Sequence, residues 1–198
     1  MKNNSIEGVV VKRLMILLPV LNEAEGLDVI LKTIPYEALE KKGWDAEVLI
    51  VDGKSTDASR QIGIDAGCNV IVQPSRGKGE AVRVGIDHAI RNTYDAVVMF
   101  DADQTYSPND MLPMLEQLLP GHVVVGNRLN SLMTKDAMSP LNWIGNHILT
   151  WSAVVLHGLE IHDVCSGYWL FDRQALLRMN LNSMDFEIEA EMYAQCAI

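Results

Sequence analysis

The sequence is short of cysteine, of basic residues and of long apolar runs, and each shortage removes a class of function. Its 198 residues include three cysteines, Cys68, Cys165 and Cys196, widely spaced and with no CxxC pair. An odd, scattered set gives no disulfide framework and fits a reducing cytoplasm. Lys and Arg number 16 against 26 Asp and Glu, a formal net charge of −10. A chain this acidic is a poor nucleic-acid binder, because phosphates must be met by cations. The same deficit argues against electrostatic docking on an anionic membrane. No apolar run reaches the length of a membrane span. The early run Leu14–Leu21 stops at Asn22-Glu23, too short for a span or a signal peptide. The histidines show no HExxH pairing, so zinc is not indicated. There is no GxSxG elbow, no GxxxxGK[ST] loop, no internal repeat and no low-complexity tract.

What remains is an ordinary globular composition, 48% hydrophobic and 21% charged, in a chain of single-domain length. Strand-length apolar runs alternate with amphipathic stretches of helical length. Strands are expected at Leu14–Pro19, Glu47–Val51, Val70–Val72, Ala96–Phe100 and His122–Val125. Helices are expected at Glu23–Thr33, Asp57–Ala66, Gly77–Arg91 and Pro108–Leu118. Asp57 is a candidate N-cap and Gly67 a helix stop. That βα alternation predicts an α/β fold, a mostly parallel central sheet flanked by helices on both faces. Beyond residue 126 the pattern changes. A polar stretch, Asn127–Pro140, precedes an apolar helix candidate at Leu141–Leu159, a strand at Tyr168–Phe171 and a helix at Phe186–Ala197.

Ligands of open α/β sheets bind beyond the carboxyl ends of the strands, so the turns there carry the functional reading. The sharpest is Asp101-Ala102-Asp103 after VVMF. Strand alternation would point both carboxylates one way, where they repel unless a cation joins them. Mg²⁺ is usually held by one or two carboxylates plus water and phosphate oxygens. Two solvated turn acids would give the same local pattern. Asp52, in VDGKSTD, is either a nucleoside-binding acid or a turn former before Gly53. Lys78 lies between Gly77 and Gly79 at a helix start, an arrangement that suits an anion. Arg128 follows Gly126-Asn127 and offers a planar fork for phosphate, or a surface charge. Asp163 sits in DVCSGY. Glu187 and Glu191 share a helical face in FEIEAEM while Glu189 points elsewhere.

Taken together, LLPVLNEAEGL, VDGKSTD, RGKGEAVRVG, MFDADQTYSP, VGNRL, DVCSGYWLF and FEIEAEM resemble, in order and spacing, the family 2 glycosyltransferases of the GT-A fold. The resemblance is greatest to the dolichyl- and polyprenyl-phosphate sugar synthases. It implies one glycosyltransferase domain over 1–198, with a nucleotide-sugar half at about 12–126 and an acceptor half at about 127–198. It implies that Pro19, Leu21, Glu23 and Asp52 line the nucleotide base, with Lys78 also on the nucleotide. Asp101 and Asp103 would hold Mg²⁺ or Mn²⁺ against the donor diphosphate. Arg128 would meet the acceptor phosphate, Asp163 and Ser166-Gly167 would lie near the donor sugar, and Glu187 or Glu189 would stand where other branches keep a base. The partners implied are a nucleotide-sugar donor, UDP- or GDP-linked, and a polyprenyl or dolichyl phosphate at a membrane surface. The location implied is cytoplasmic, peripheral on the membrane face, and a homo-oligomer or a membrane partner is left open.

The sequence departs from the family pattern at several points. VDDGSTD reads VDGKSTD, and Thr105 stands where relatives with DADLQHP have Gln. Asn142, Asn146 and His147, with Lys135 upstream, stand where some relatives carry a second arginine. The family usually continues past the position of Ile198. Leu141–Leu159 lacks a basic face and reads as a core helix, so a lipid acceptor rests on the resemblance alone. Two rivals use the same residues: a haloacid-dehalogenase-like phosphohydrolase built on FDADQT, and a non-catalytic nucleotide-binding subunit.

Overall fold

The computed structural model describes residues 11–126 and 166–196. Six strands form one sheet: β1 (Lys12–Val20), β2 (Trp44–Asp52), β3 (Asn69–Val72), β4 (Ala96–Met99), β5 (Val123–Val125) and β6 (Trp169–Asp172), in the order β3-β2-β1-β4-β6-β5. β1, β2, β3 and β4 pair in parallel. β6 runs antiparallel to both β4 and β5, between them. The sequence places β5 next in the parallel series. Instead β6 takes the position beside β4, and β5 becomes the edge. The helices are α1 (Ala24–Thr33), α2 (Tyr36–Lys41), α3 (Ser59–Asp65), α4 (Lys78–Arg91), α5 (Met111–Gln117), α6 (Arg173–Arg178) and α7 (Ile188–Cys196).

Strand alternation divides the core between two faces. Leu14, Ile16, Leu18 and Val20 of β1 meet Leu27 and Ile30 of α1, Leu39 of α2 and Met111, Met114 and Leu115 of α5. Met15 and Leu17 face the other way, toward Ala81, Val82, Ile86 and Ala89 of α4, Leu176 of α6 and Ile188 and Met192 of α7. β1 is therefore covered on both sides, which is why its stretch Leu14–Val20 is an unbroken apolar run without a polar face.

Two short helices were not expected. Pro35 lies just past the end of α1 and starts α2. Proline lacks only an N–H that a first helical turn leaves unpaired anyway. α6 begins directly after β6, where the Asp172 carboxylate accepts from the Gln174 N–H at 2.8 Å. α3 starts at Ser59, with Ala58 in the N-cap position, although Asp57 Oδ1 still accepts the Ser59 N–H at 2.9 Å. Gly67 stops that helix with φ at +76°, as expected of a C-terminal glycine. Asn127–Pro140, Leu141–Leu159, Arg128 and Asp163 lie outside the described residues, as do the acceptor-side candidates Lys135, Asn142, Asn146 and His147. Among the described residues, no helix is long and apolar enough to cross a membrane.

Candidate active site

The strand order creates a switch point. From β1 the chain builds outward through β2 and β3, then returns to place β4 on the opposite side of β1. Loops leaving β1 and β4 diverge there, and a crevice opens at the carboxyl end of the sheet. The register deepens it. Val20 of β1 is level with Asp52 and hence with Val72, whereas β4 ends at Met99, opposite Leu17. Residues after Phe100 thus turn across the open end of the sheet.

A cleft of about 660 Å³ occupies this position. Pro19, Leu21 and Glu23 line it from the β1 side, and Lys78, Asp101 and Asp103 from the α4 and β4 side. Six of the residues singled out in the sequence therefore share one cavity. The aspartates reach it differently from the strand-pleat expectation. β4 has already ended, and the pair is carried by a turn in which Ala102 is buried and Gln104 has φ at +65°. Asp103 Oδ1 accepts the Thr105 N–H at 2.9 Å, fixing the turn. α1 packs tightly against it: a Cβ on Gly26 would stand 2.1 Å from the Ala102 carbonyl oxygen. Only glycine permits that approach.

Side-chain hydrogen bonds hold the segments after β1 and β2 together. The Asn22 side chain accepts the Thr56 N–H at 2.8 Å. The first N–H groups of α1 are satisfied from across the gap, Glu23 N–H donating to Ser59 Oγ at the start of α3 and Ala24 N–H to Asp57 Oδ2 in the loop before it. This explains the conspicuous STD of VDGKSTD as a cap supplied in trans. Asp52 is the one nucleotide candidate that the cleft lining does not include. Its fully buried carboxylate accepts from Arg60 Nη2 at 2.7 Å and from the Lys54 and Ser55 N–H groups at 3.2 Å. Burial alone would raise its pKa, but these hydrogen bonds and the Arg60 charge hold it below the ordinary value. The geometry makes Asp52 the organiser of the loop whose Gly53, Lys54 and Thr56 line the cleft.

Charge in the cleft is arranged in opposition. Burial, then the Asp103 and Asp101 carboxylates, push the Glu23 pKa up. Lys78 answers from the start of α4, with its Nζ 2.7 Å from Asp101 Oδ1 and 2.7 Å from Glu189 Oε1. Burial works against the Lys78 ammonium, but the two carboxylates outweigh it and hold its pKa above the ordinary value. Of the late acids, Glu189 thus joins the site through Lys78. Glu187 is exposed and turns back, its Oε1 accepting the Asp185 N–H at 3.3 Å. Sequence reasoning missed Gln73, Arg76, Asp185 and Phe186, all of which line the cleft. Arg76 and Phe186 open the motifs RGKGEA and FEIEAEM and Asp185 immediately precedes the second, which was the available signal.

A divalent cation fits the donor set. Asp101 and Asp103 are hard oxygen ligands open to the cleft. Among the described residues no group of three or more His, Cys, Asp or Glu could hold a metal. Two carboxylates leave most of an octahedral shell to water and phosphate, the usual state of Mg²⁺ sites.

Residues 15–179 match the family model described as Glycosyl transferase family 2. The chain belongs to that family. It is 39% identical over 183 residues to Glycosyltransferase AglJ of Haloferax volcanii, covering 92% of this chain and 57% of that protein. It thus spans little more than half the length of that relative. It is 24% identical over 191 residues to the polyprenol monophosphomannose synthase of Mycolicibacterium smegmatis, covering 88% of this chain and 67% of that protein. The fold is shared with Mycobacterium tuberculosis glucosyl-3-phosphoglycerate synthase, solved in complex with Mn²⁺ and UDP-glucose. That match has a TM-score of 0.66 and 21% identity, covering 91% of this chain and 63% of that one. Family membership and a FDADQT segment placed after β4, the fourth strand, leave the phosphohydrolase and non-catalytic readings without support.

Proposed function

We propose that the protein is an inverting glycosyltransferase. It moves a hexose from a UDP- or GDP-linked donor to a polyprenyl or dolichyl phosphate and uses Mg²⁺ or Mn²⁺. The observation that carries this reading is the Asp101–Asp103 turn, faced by Lys78, opening onto a 660 Å³ cleft at the switch point of the sheet. The name of the Mycolicibacterium relative supports a polyprenyl phosphate acceptor, and the Mn²⁺ and UDP-glucose bound to the structural neighbour support the donor and the metal.

In this reading Pro19, Leu21 and Glu23 line the nucleoside, and Asp52 shapes the loop beneath it. Asp101 and Asp103 would hold the divalent cation, which when bound would supply Lewis-acid stabilisation to the departing diphosphate. Lys78 adds a second positive charge beside the same leaving group. Arg128 receives the acceptor phosphate, and Asp163 with Ser166-Gly167 borders the donor sugar. A phosphate monoester has a second pKa of about 6 and is largely ionised at pH 7, so attack on the anomeric carbon needs no strong base. That suits Glu189, whose carboxylate is engaged by Lys78, and gives Glu187 no obligatory role. The protein works at the cytoplasmic face of a membrane, where its lipid acceptor lies.

The test is transfer. The full protein is incubated with UDP- and GDP-hexoses, Mn²⁺ and a polyprenyl phosphate, and the lipid is analysed by mass spectrometry. The expected product is a lipid-phosphate hexose of inverted anomeric configuration, lost in Asp101→Asn. Absence of product with every donor, or full turnover by Asp101→Asn, contradicts the proposal. Liposome flotation checks the peripheral location.

A further inference from the structure

Lys78 makes its two ion pairs where surface pairing is not the rule. The side chains of Lys78, Asp101 and Glu189 are 13%, 30% and 15% exposed. The lysine is also held in place from beneath. A Cβ on Gly77 would stand 2.0 Å from the Met184 carbonyl oxygen, and one on Gly79 2.4 Å from that of Ser183. The Glu80 N–H donates to Met184 O at 3.1 Å. The start of α4 and the segment leading into α7 are thus one packed unit, and Lys78 emerges from it toward Asp101.

The two oxygens of the Asp101 carboxylate have different neighbours. Oδ1 carries the lysine, and Oδ2 is pressed toward Gly167, where an added Cβ would stand 2.3 Å away. A Mg²⁺ ion binds carboxylate oxygen at about 2.0–2.1 Å. An ammonium at 2.7 Å from the same oxygen would put two positive charges within about 4 Å of each other, where they repel.

We propose that Lys78 is the resident cation that the metal displaces. Without metal it neutralises Asp101. When the metal arrives with the diphosphate, Lys78 leaves Asp101, stays tethered to Glu189 and turns to the phosphates. Glu189 is then a positioning residue that holds the lysine within reach. The exchange rests on the metal reading of Asp101 and Asp103 above. It makes metal binding weak alone and strong with the nucleotide, because only the diphosphate offers Lys78 a replacement partner.

The experiment uses Mn²⁺ alone as the probe, titrated into the full protein and followed by the electron paramagnetic resonance of free Mn²⁺. Lys78→Met removes the competitor and is expected to tighten Mn²⁺ binding about tenfold, the worth of one charged hydrogen bond. Arg76→Met removes a cation from the same cleft that is not paired with Asp101 and is expected to change it less than about threefold. With Mn²⁺ saturating, Lys78→Met is expected to bind UDP or GDP about tenfold more weakly, an opposite sign that a general loss of structure does not give. Should Lys78→Met fail to fold, Lys78→Gln makes the same charge change. Mn²⁺ binding no tighter in the Lys78 variant, or equally tightened by Arg76→Met, overturns the exchange alone. Wild-type protein with no saturable Mn²⁺ site overturns the metal reading as well.

Discussion

Gly167→Ala is a one-carbon perturbation aimed at the metal-side aspartate from behind. The added Cβ would lie 2.3 Å from Asp101 Oδ2 and 3.0 Å from its Cγ. Non-bonded carbon contacts settle near 3.5 Å, so the carboxylate has to retreat by about 1 Å. The backbone gives no relief and no penalty: Gly167 is not among the positive-φ glycines, and its N–H keeps its 2.6 Å bond to the Tyr106 hydroxyl. The atom that yields is the end of a side chain, so the folding cost is about 1 kcal/mol. Part of that is offset by the lower chain entropy of unfolded alanine. The melting temperature is expected to move by no more than about 4 °C. Function is more sensitive, because a 1 Å misplacement at a reacting centre costs on the order of 100-fold. We expect kcat/KM for sugar transfer to fall by about that factor, with weaker Mn²⁺ dependence, while circular dichroism stays unchanged. A variant with wild-type turnover and wild-type metal dependence would refute the claim that Asp101 must stand where Gly167 lets it stand.

Other substitutions test the scaffold. Arg60→Ala removes the guanidinium from buried Asp52 and is expected to destabilise by about 2 kcal/mol in urea melts, the worth of a charged hydrogen bond. Because the folded-state pKa of Asp52 is depressed, its contribution is complete above the ordinary carboxylate pKa of about 4 and is lost as pH falls below it, so the acid limb should be shallower in Arg60→Ala. The Tyr94 hydroxyl donates to Glu47, and burial with that carboxylate pushes its pKa up to about 12. Its stabilising effect is therefore whole below pH 10, the ordinary tyrosine value, and disappears toward pH 12. The stability gap between wild type and Tyr94→Phe should close over that range. Gly85→Ala places a Cβ 2.4 Å from Leu17 Cδ1 and should cost about 1–3 kcal/mol. Leu17→Ala should cost about 2–5 kcal/mol. The double variant should cost less than the sum, since each change relieves the other.

Much of this architecture was legible because it is local. Leu14–Val20 of β1 is an uninterrupted apolar run, VVM marks β4, and Gly67 stops a helix where expected. The cleft was legible for the same reason, since Pro19 lies at the end of β1 and Leu21, Glu23, Lys78, Asp101 and Asp103 all follow strand ends. What was not legible depends on distant partners. β6 reads as a short apolar strand, but its antiparallel insertion beside β4 is decided by sheet pairing, not by its own residues. Asp52 reads as an open acid until Arg60, one helical segment later, closes on it. Glu189 meets the site through Lys78, 111 positions earlier. α2 and α6 are six residues each, too short for a periodic signal.

The central claim, that Asp101 and Asp103 bind a nucleotide-sugar diphosphate through a divalent cation, is tested most directly by a thermal-shift panel. Wild type and Asp101→Asn are melted with UDP- and GDP-hexoses, with and without Mn²⁺. At a donor concentration 100 times the Kd, stabilisation of about 2.7 kcal/mol is expected for wild type with metal. None is expected for the variant, or for wild type without metal. A donor that stabilises both proteins equally in the absence of Mn²⁺ would contradict the account.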